Sequence, residues 1–402
     1  LVNSGGRIER LDLAGWLKLY APDRNARPAG SFLRSAQFEV AELDYLGLAF
    51  RDVGIDLAVN EAGWQVAVSG PNVEGDLWLP AASEAVEPWK LEFKHLKFSS
   101  LEPAAAPKPA DPGARAEATP SDNPRRIPSV AFHSADTVWD ERQFGDVAAS
   151  LQKLDDGIAL TSLAVTGGNF AVKARGEWRG RDQGTGRIQG SLTSTDVGGT
   201  LKQLGYAAVI EAKSGKMDFD LRWAGAPTAD DLAAATGEVR VALDKGQVTG
   251  LKPGAGRVVG LASVAELPRR LALDFSDLTD KGFAFDTARG DIELHDGSAY
   301  TDDVLIKGPA AEIGLIGRVG LKAHDYDQTA VVTGNLGNSL PLAALAGGPV
   351  VGAAVLVFTQ VFKQPLKGLA RGYYRITGSW DKPTVERIKG AEAAAATAEA
   401  PK

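Results

Sequence analysis

The stretch FAFDTARGDIELHDG, residues 283–297, decides how this chain is to be read. Phe283 and Phe285 alternate with polar or small neighbours, Ile292 and Leu294 do the same from seven residues after Phe285, and Asp-Gly closes the run. Successive side chains of an extended strand point to opposite faces, so this pattern describes strands with one dry face and one wet face. The Asp-Gly pair is a turn signal between such strands.

The pattern extends in both directions. GWQVAVSG places Trp64, Val66 and Val68 on one face, and NFAVKARGEW does so with Phe170, Val172, Ala174 and Trp178. MDFDLRW contributes Phe219 and Leu221, EVRVALD contributes Val239 and Val241, and AEIGLIG contributes Ile313 and Leu315. Turn signals recur every eight to twelve residues or so, the spacing of antiparallel meanders rather than of strand-helix-strand units. About twenty strands are expected. At about 4.8 Å between neighbours a continuous sheet of that size would reach about 100 Å. The predicted fold is therefore mainly β: an elongated, twisted antiparallel sheet forming an open hydrophobic groove, with a few short helices.

Composition agrees with a folded β-rich chain. There are 46 Gly and 8 Trp but a single Met among 402 residues. The formal charge of −7 argues against nucleic acid, whose phosphates require a concentrated positive field. Cysteine is absent, which excludes disulfides and thiolate metal sites. No targeting segment is visible in LVNSGGRIER, so a fragment or a processed chain is expected.

Two segments read as unfolded: the Ala/Pro-rich residues 102–129 and the tail 389–402. They bracket the expected division into an N-terminal β segment (1–101), a second β region (130–340), an apolar helical hairpin or cap (341–371) and a terminal strand (372–388). Two short helices are expected against the sheet. One has Thr195 or Asp196 as N-cap, and the other places Val258, Leu261, Ala262 and Ala265 on one face before Pro268 stops it.

Catalytic chemistry finds little support. The 4 histidines, His95, His133, His295 and His324, lie far apart in alternating contexts without metal-ligand spacing. Adjacent acids at Asp155-Asp156, Asp230-Asp231 and Asp302-Asp303 sit in turns or on opposite strand faces, which disfavours a carboxylate dyad. No nucleophile elbow or phosphate loop is present. Neither an enzyme nor a cofactor is expected.

From Gln328 to Phe362 no residue is charged. Val350 to Phe362 reads as a helix apolar nearly all round, about 20 Å long and so short of the ~30 Å hydrocarbon core. Lys363, Lys367 and Arg371 give it a basic end, with Pro365 interrupting. Three readings stand: a broken hairpin dipping into one leaflet with its cations near lipid phosphates, a buried cap on the end of the sheet, or, as preferred here, a cap that also touches the membrane. In the first, Val350, Val351, Val355, Leu356, Phe358 and Phe362 meet lipid tails, and Lys363 and Lys367 meet headgroups.

Three blocks in fixed order carry a family resemblance. They are the run from GAGRVVG at Gly254 to AHDYDQ at Gln328, LPLAALAGGPVVGAAVLVF at 340–358, and YRITGSWDKPTVERI at 374–388. Residues 130–388 resemble the AsmA-like superfamily of Gram-negative envelope proteins, most closely the C-terminal part of its YhdP branch, and residues 1–100 do so more loosely. The resemblance implies a groove-shaped β-sheet in the periplasm, anchored to the inner membrane by an N-terminal segment absent from this chain. It would reach the inner leaflet of the outer membrane with its C-terminal end, carry phospholipids between the membranes and support the permeability barrier. The alternating apolar residues above would line the groove and headgroup selectivity would be weak, while Arg269 and Arg270 would either meet headgroups or mark an ordinary solvated strand entry. The alternative is a non-enzymatic β-rich scaffold for envelope proteins, with its apolar face filled by its own side chains.

Overall fold

Asp296 and Gly297 turn the chain between strands Phe283–His295 and Ser298–Lys307, with φ of 52° and 69°. Both values are left-handed, a conformation that Asp tolerates and Gly adopts freely, and two such residues in succession make a turn whose twist matches flanking strands. His295 accordingly pairs with Ser298. Repeated hairpins of this kind make up most of the computed structural model of the chain, which describes residues 2–12, 33–45, 48–81, 87–100, 124–180, 184–225, 227, 234–248, 283–334, 370–380 and 382–388. Nineteen strands lie within these residues. The mainly β expectation holds.

The chain folds as two compact units, residues 1–168 with 172–186 and residues 169–171 with 187–402. The first begins with β1 (Val2–Asp12), β2 (Leu33–Tyr45), β3 (Leu48–Val59), β4 (Gly63–Ser69), β5 (Val73–Pro80) and β6 (Trp89–Ser100). It continues through β7 (Val130–Trp139), β8 (Arg142–Lys153) and β9 (Gly157–Thr166) into most of β10 (Phe170–Arg179). Most neighbours are antiparallel, but β1 pairs with β2, and β6 with β7, in parallel. This corrects the uniformly antiparallel expectation. Parallel partners need a connection long enough to return to the starting end, and residues 13–32 and 101–129 provide the length. At the close of the second connection Pro124–Arg126 forms a 3-10 turn and Ser129 accepts the N–H of Trp89 at 2.8 Å.

Asp52, at φ 54°, interrupts the extended backbone of β3 without shifting its register against β2. Beyond it Gly54–Val59 pair with β4, whereas Leu48 and Ala49 pair with Ser100 and Ser99 of β6. With the β4–β5 and β5–β6 ladders this closes a circuit of four strands. Val40, Leu43, Phe50, Val53 and Val73 fill a core here, with Leu96 and Phe98 packed against it.

The second unit contains β11 (Thr185–Ser194), helix α1 (Val197–Gln203), β12 (Ile210–Ala224), β13 (Thr236–Val248), β14 (Phe283–His295) and β15 (Ser298–Lys307). It ends with β16 (Ala311–Gly320), β17 (Asp325–Gly334), β18 (Ala370–Ser379) and β19 (Lys382–Ile388). Each strand from β12 to β19 pairs antiparallel with the next. The expected helix near residue 196 is α1, and of the two candidate caps Asp196 performs the role, accepting from the N–H of Gly199. Gln328–Gly334, the start of the uncharged stretch, completes β17. The expected helix at 254–267, Arg269 and Arg270, and residues 341–369 of the expected hairpin lie outside the described residues, whereas Ala370 and Arg371, expected to end that hairpin, begin β18 opposite Gly334 and Thr333. Among the described residues no helix is long and apolar enough to cross a membrane.

Candidate functional site

Registered alternating strands align their apolar residues into rows that run across the sheet. In the second unit one row joins Phe219, Val239 and Ile292, and the next joins Met217, Val241 and Gly290. A third runs Leu243, Ala288, Ile306, Ile313 and Val332, and the Leu221 row continues through Gly237 to Leu294, Ala299, Val319 and Tyr326. The predicted candidates of β12, β13, β14 and β16 therefore share one face. Opposite it lie the charged rows Asp218–Arg240–Asp291 and Asp220–Glu238–Glu293.

Burial along this apolar face is graded. Phe219, Leu221, Val239, Val241, Ile292 and Leu294 are half-buried, while Phe283 and Phe285 are buried. Ile313 and Leu315 are 1% and 2% exposed. From β15 to β18 the opposite face is dry as well, because Leu305, Ile316, Val331 and Tyr373 form a second cluster there. The chain itself buries Phe283, Phe285, Ile313 and Leu315, so the sequence candidates fall into an accessible part, Phe219, Leu221, Val239, Val241, Ile292 and Leu294 on β12–β14, and an enclosed one.

The first unit has its own rows. Trp64, Val66 and Val68 pair with Val59, Leu57 and Ile55 on one side and with Leu79, Leu77 and Gly75 on the other. All three are half-buried, with Gln65, Ala67 and Ser69 exposed between them. In β10, Val172 of this unit is half-buried, and Phe170, which belongs to the second unit, is buried. The membrane-contact candidates from Val350 to Lys367 lie outside the described residues.

The polar faces are occupied by ion pairs and hydrogen bonds. His133 of β7 contacts Asp146 Oδ2 at 3.0 Å and Glu92 Oε2 at 2.9 Å, and these bonds, Asp146 first, hold its imidazole above the ordinary value. Arg318 donates two bonds to Asp325, at 2.9 and 2.8 Å, which keep that carboxyl below the usual range. His324 lies in the turn before β17, not in a strand as expected, and its ring packs on Trp380 with centroids 4.5 Å apart. Asp303, at a β15 bulge, is buried and accepts the N–H of Asp291 at 2.8 Å. Among the described residues no group of three or more His, Asp or Glu is placed to hold a metal ion.

Residues 3–385 match the family model described as YhdP protein. The chain is 29% identical over 307 residues to the protein named Intermembrane phospholipid transporter YhdP of Escherichia coli (strain K12), an alignment covering 75% of this chain and 24% of that protein. No solved structure matches the chain.

Proposed function

Because the chain belongs to the YhdP family, we propose that it carries phospholipids between the inner and outer membranes of a Gram-negative envelope, their tails on the apolar rows and their headgroups in water. The chain spans about a quarter of the length of the named transporter, so its part in the whole activity belongs to this proposal. The observation that carries it is the row Phe219–Val239–Ile292: side chains in register on three strands, half-buried, backed by a charged face.

The physical need is large. A phospholipid with about thirty methylenes exposes tails costing more than about 20 kcal/mol in water, at ~0.8 kcal/mol per methylene. A continuous apolar surface replaces that single barrier by small steps between similar sites. Such a role needs no bond making, and we read it as non-enzymatic. We further place the protein in the periplasm, with residues 341–369 meeting the inner leaflet of the outer membrane and the whole supporting the permeability barrier.

A second reading, a scaffold for envelope proteins, draws on the enclosed part from β15 to β18, where the chain dries both faces itself. The two separate on lipid extraction. The purified chain is incubated with vesicles carrying a tail-labelled phospholipid, and soluble label is followed. We expect extraction by the native chain and its near loss in Val239→Glu/Ile292→Glu; no extraction by the folded native chain sinks the transport reading.

A further inference from the structure

On β12, β13 and β14 the alternation breaks at one level. Two consecutive polar residues stand between Ala212 and Gly215, between Leu243 and Gly246, and Asp286-Thr287 stand between Phe285 and Ala288. Register is kept on both sides, with Gly246 opposite Ala212 and Phe285, and Leu243 opposite Gly215 and Ala288. Lys245, inside the break, has φ of 51°, a left-handed conformation that redirects the chain locally while the register is kept.

A cleft of about 770 Å³ opens here between α1 and the three strands. Ala212, Gly246 and Phe285, all from the apolar face, contribute to its lining. Lys202 of α1, Lys213 of β12, Lys245 of β13 and Asp286 of β14 contribute charge, and none of the four has an ion pair among the described residues. Two further carboxylates are engaged: Asp196 caps α1, and Glu211 accepts from Gln247 Nε2 at 2.7 Å.

We infer that this cleft holds the headgroup of a zwitterionic phosphodiester lipid, its phosphate at the lysines, its ammonium at Asp286 and its tails leaving along the half-buried apolar rows of the same strands. The inference rests on the lipid-transfer reading above and supplies it with a headgroup station. Three lysines and three carboxylates sum to zero, which matches a headgroup without net charge better than a polyanion. A lysine acts as a point charge toward phosphate, and an apolar lining beside it suits an amphiphile at its head–tail boundary. The cleft is open to water, so screening keeps each charge contact modest.

Binding to the purified chain is measured by NMR titration with three probes below micellar concentrations: dihexanoyl phosphatidylethanolamine, dihexanoylglycerol and glycerophosphoethanolamine. The variant is Lys202→Gln/Lys213→Gln/Lys245→Asn, Asn being tolerant of the left-handed backbone, and its folding is checked by circular dichroism. The variant should bind the phospholipid about tenfold more weakly and dihexanoylglycerol unchanged. Asp286→Asn, a milder second variant, should move preference from phosphatidylethanolamine toward dihexanoyl phosphatidylglycerol. Unchanged phospholipid affinity in both variants overturns the headgroup station while leaving the apolar face as lipid carrier. Glycerophosphoethanolamine binding as tightly as the phospholipid marks a site for free phosphodiesters and overturns it too. Failure of every lipid to bind the native chain removes both readings.

Discussion

The ring of Phe285 lies against Gly246 on the neighbouring strand, so closely that a Cβ at Gly246 would sit 2.5 Å from its Cζ and 2.9 Å from Ala212 Cβ. The missing side chain on β13 is what lets Phe285 reach 3% exposure. Gly246→Ala must displace the ring or the strand, and overpacking of this kind costs about 1–3 kcal/mol. Urea denaturation should show that loss, and because the Glu211 backbone carbonyl crowds the new Cβ more closely still, Gly246→Ala/Phe285→Leu should recover only a minor part of it.

Graded burial gives a second expectation. Ile313→Ala empties a site 1% exposed and should cost about 2–5 kcal/mol. Ile292→Ala, on the same apolar face but half-buried, should cost clearly less in stability while reducing lipid extraction. Equal destabilisation by the two changes would contradict an accessible β12–β14 surface.

His133 supplies a pH signature. Its folded pKa is raised by Asp146 and Glu92, so its contribution to stability is complete below the unfolded value of about 6.5 and is lost as pH rises through the folded value. NMR titration should find the imidazole protonated above the ordinary range, and Asp146→Asn/Glu92→Gln should return it there.

Asp325 acts in the opposite sense. The bidentate contact from Arg318 depresses its pKa, so its contribution is present above the unfolded value of about 3.9 and falls away as pH drops through the folded one. The pair is partly open to solvent, which limits it to about 1 kcal/mol. Asp325→Asn should remove this share of the acid sensitivity, read from denaturation midpoints between pH 5 and pH 2.

Strand identity was legible because alternation is local: Phe283, Phe285, Ile292 and Leu294 announce their face without knowledge of a partner. Parallel pairing of β6 with β7 was not, because nothing within Trp89–Phe98 or Val130–Trp139 encodes which strand lies alongside. The two-sided burial of β16 had a readable sign. Ile313-Gly314-Leu315-Ile316 is a near-continuous apolar run rather than an alternation, the mark of a strand covered on both faces. The cleft residues Lys213, Lys245 and Asp286 escaped notice because they interrupt the pattern, and an interruption reads as a weak strand until the same break is seen in register on three neighbours.

The most direct measurement of the central claim is photocrosslinking in cells from probes at Val239 and Ile292, with probes at Glu238 and Glu293 on the opposite face as controls. The account predicts phospholipid adducts at the first pair, identified by mass spectrometry, and few at the second. A folded protein with no lipid at Val239 or Ile292, or with equal adducts on both faces, contradicts it.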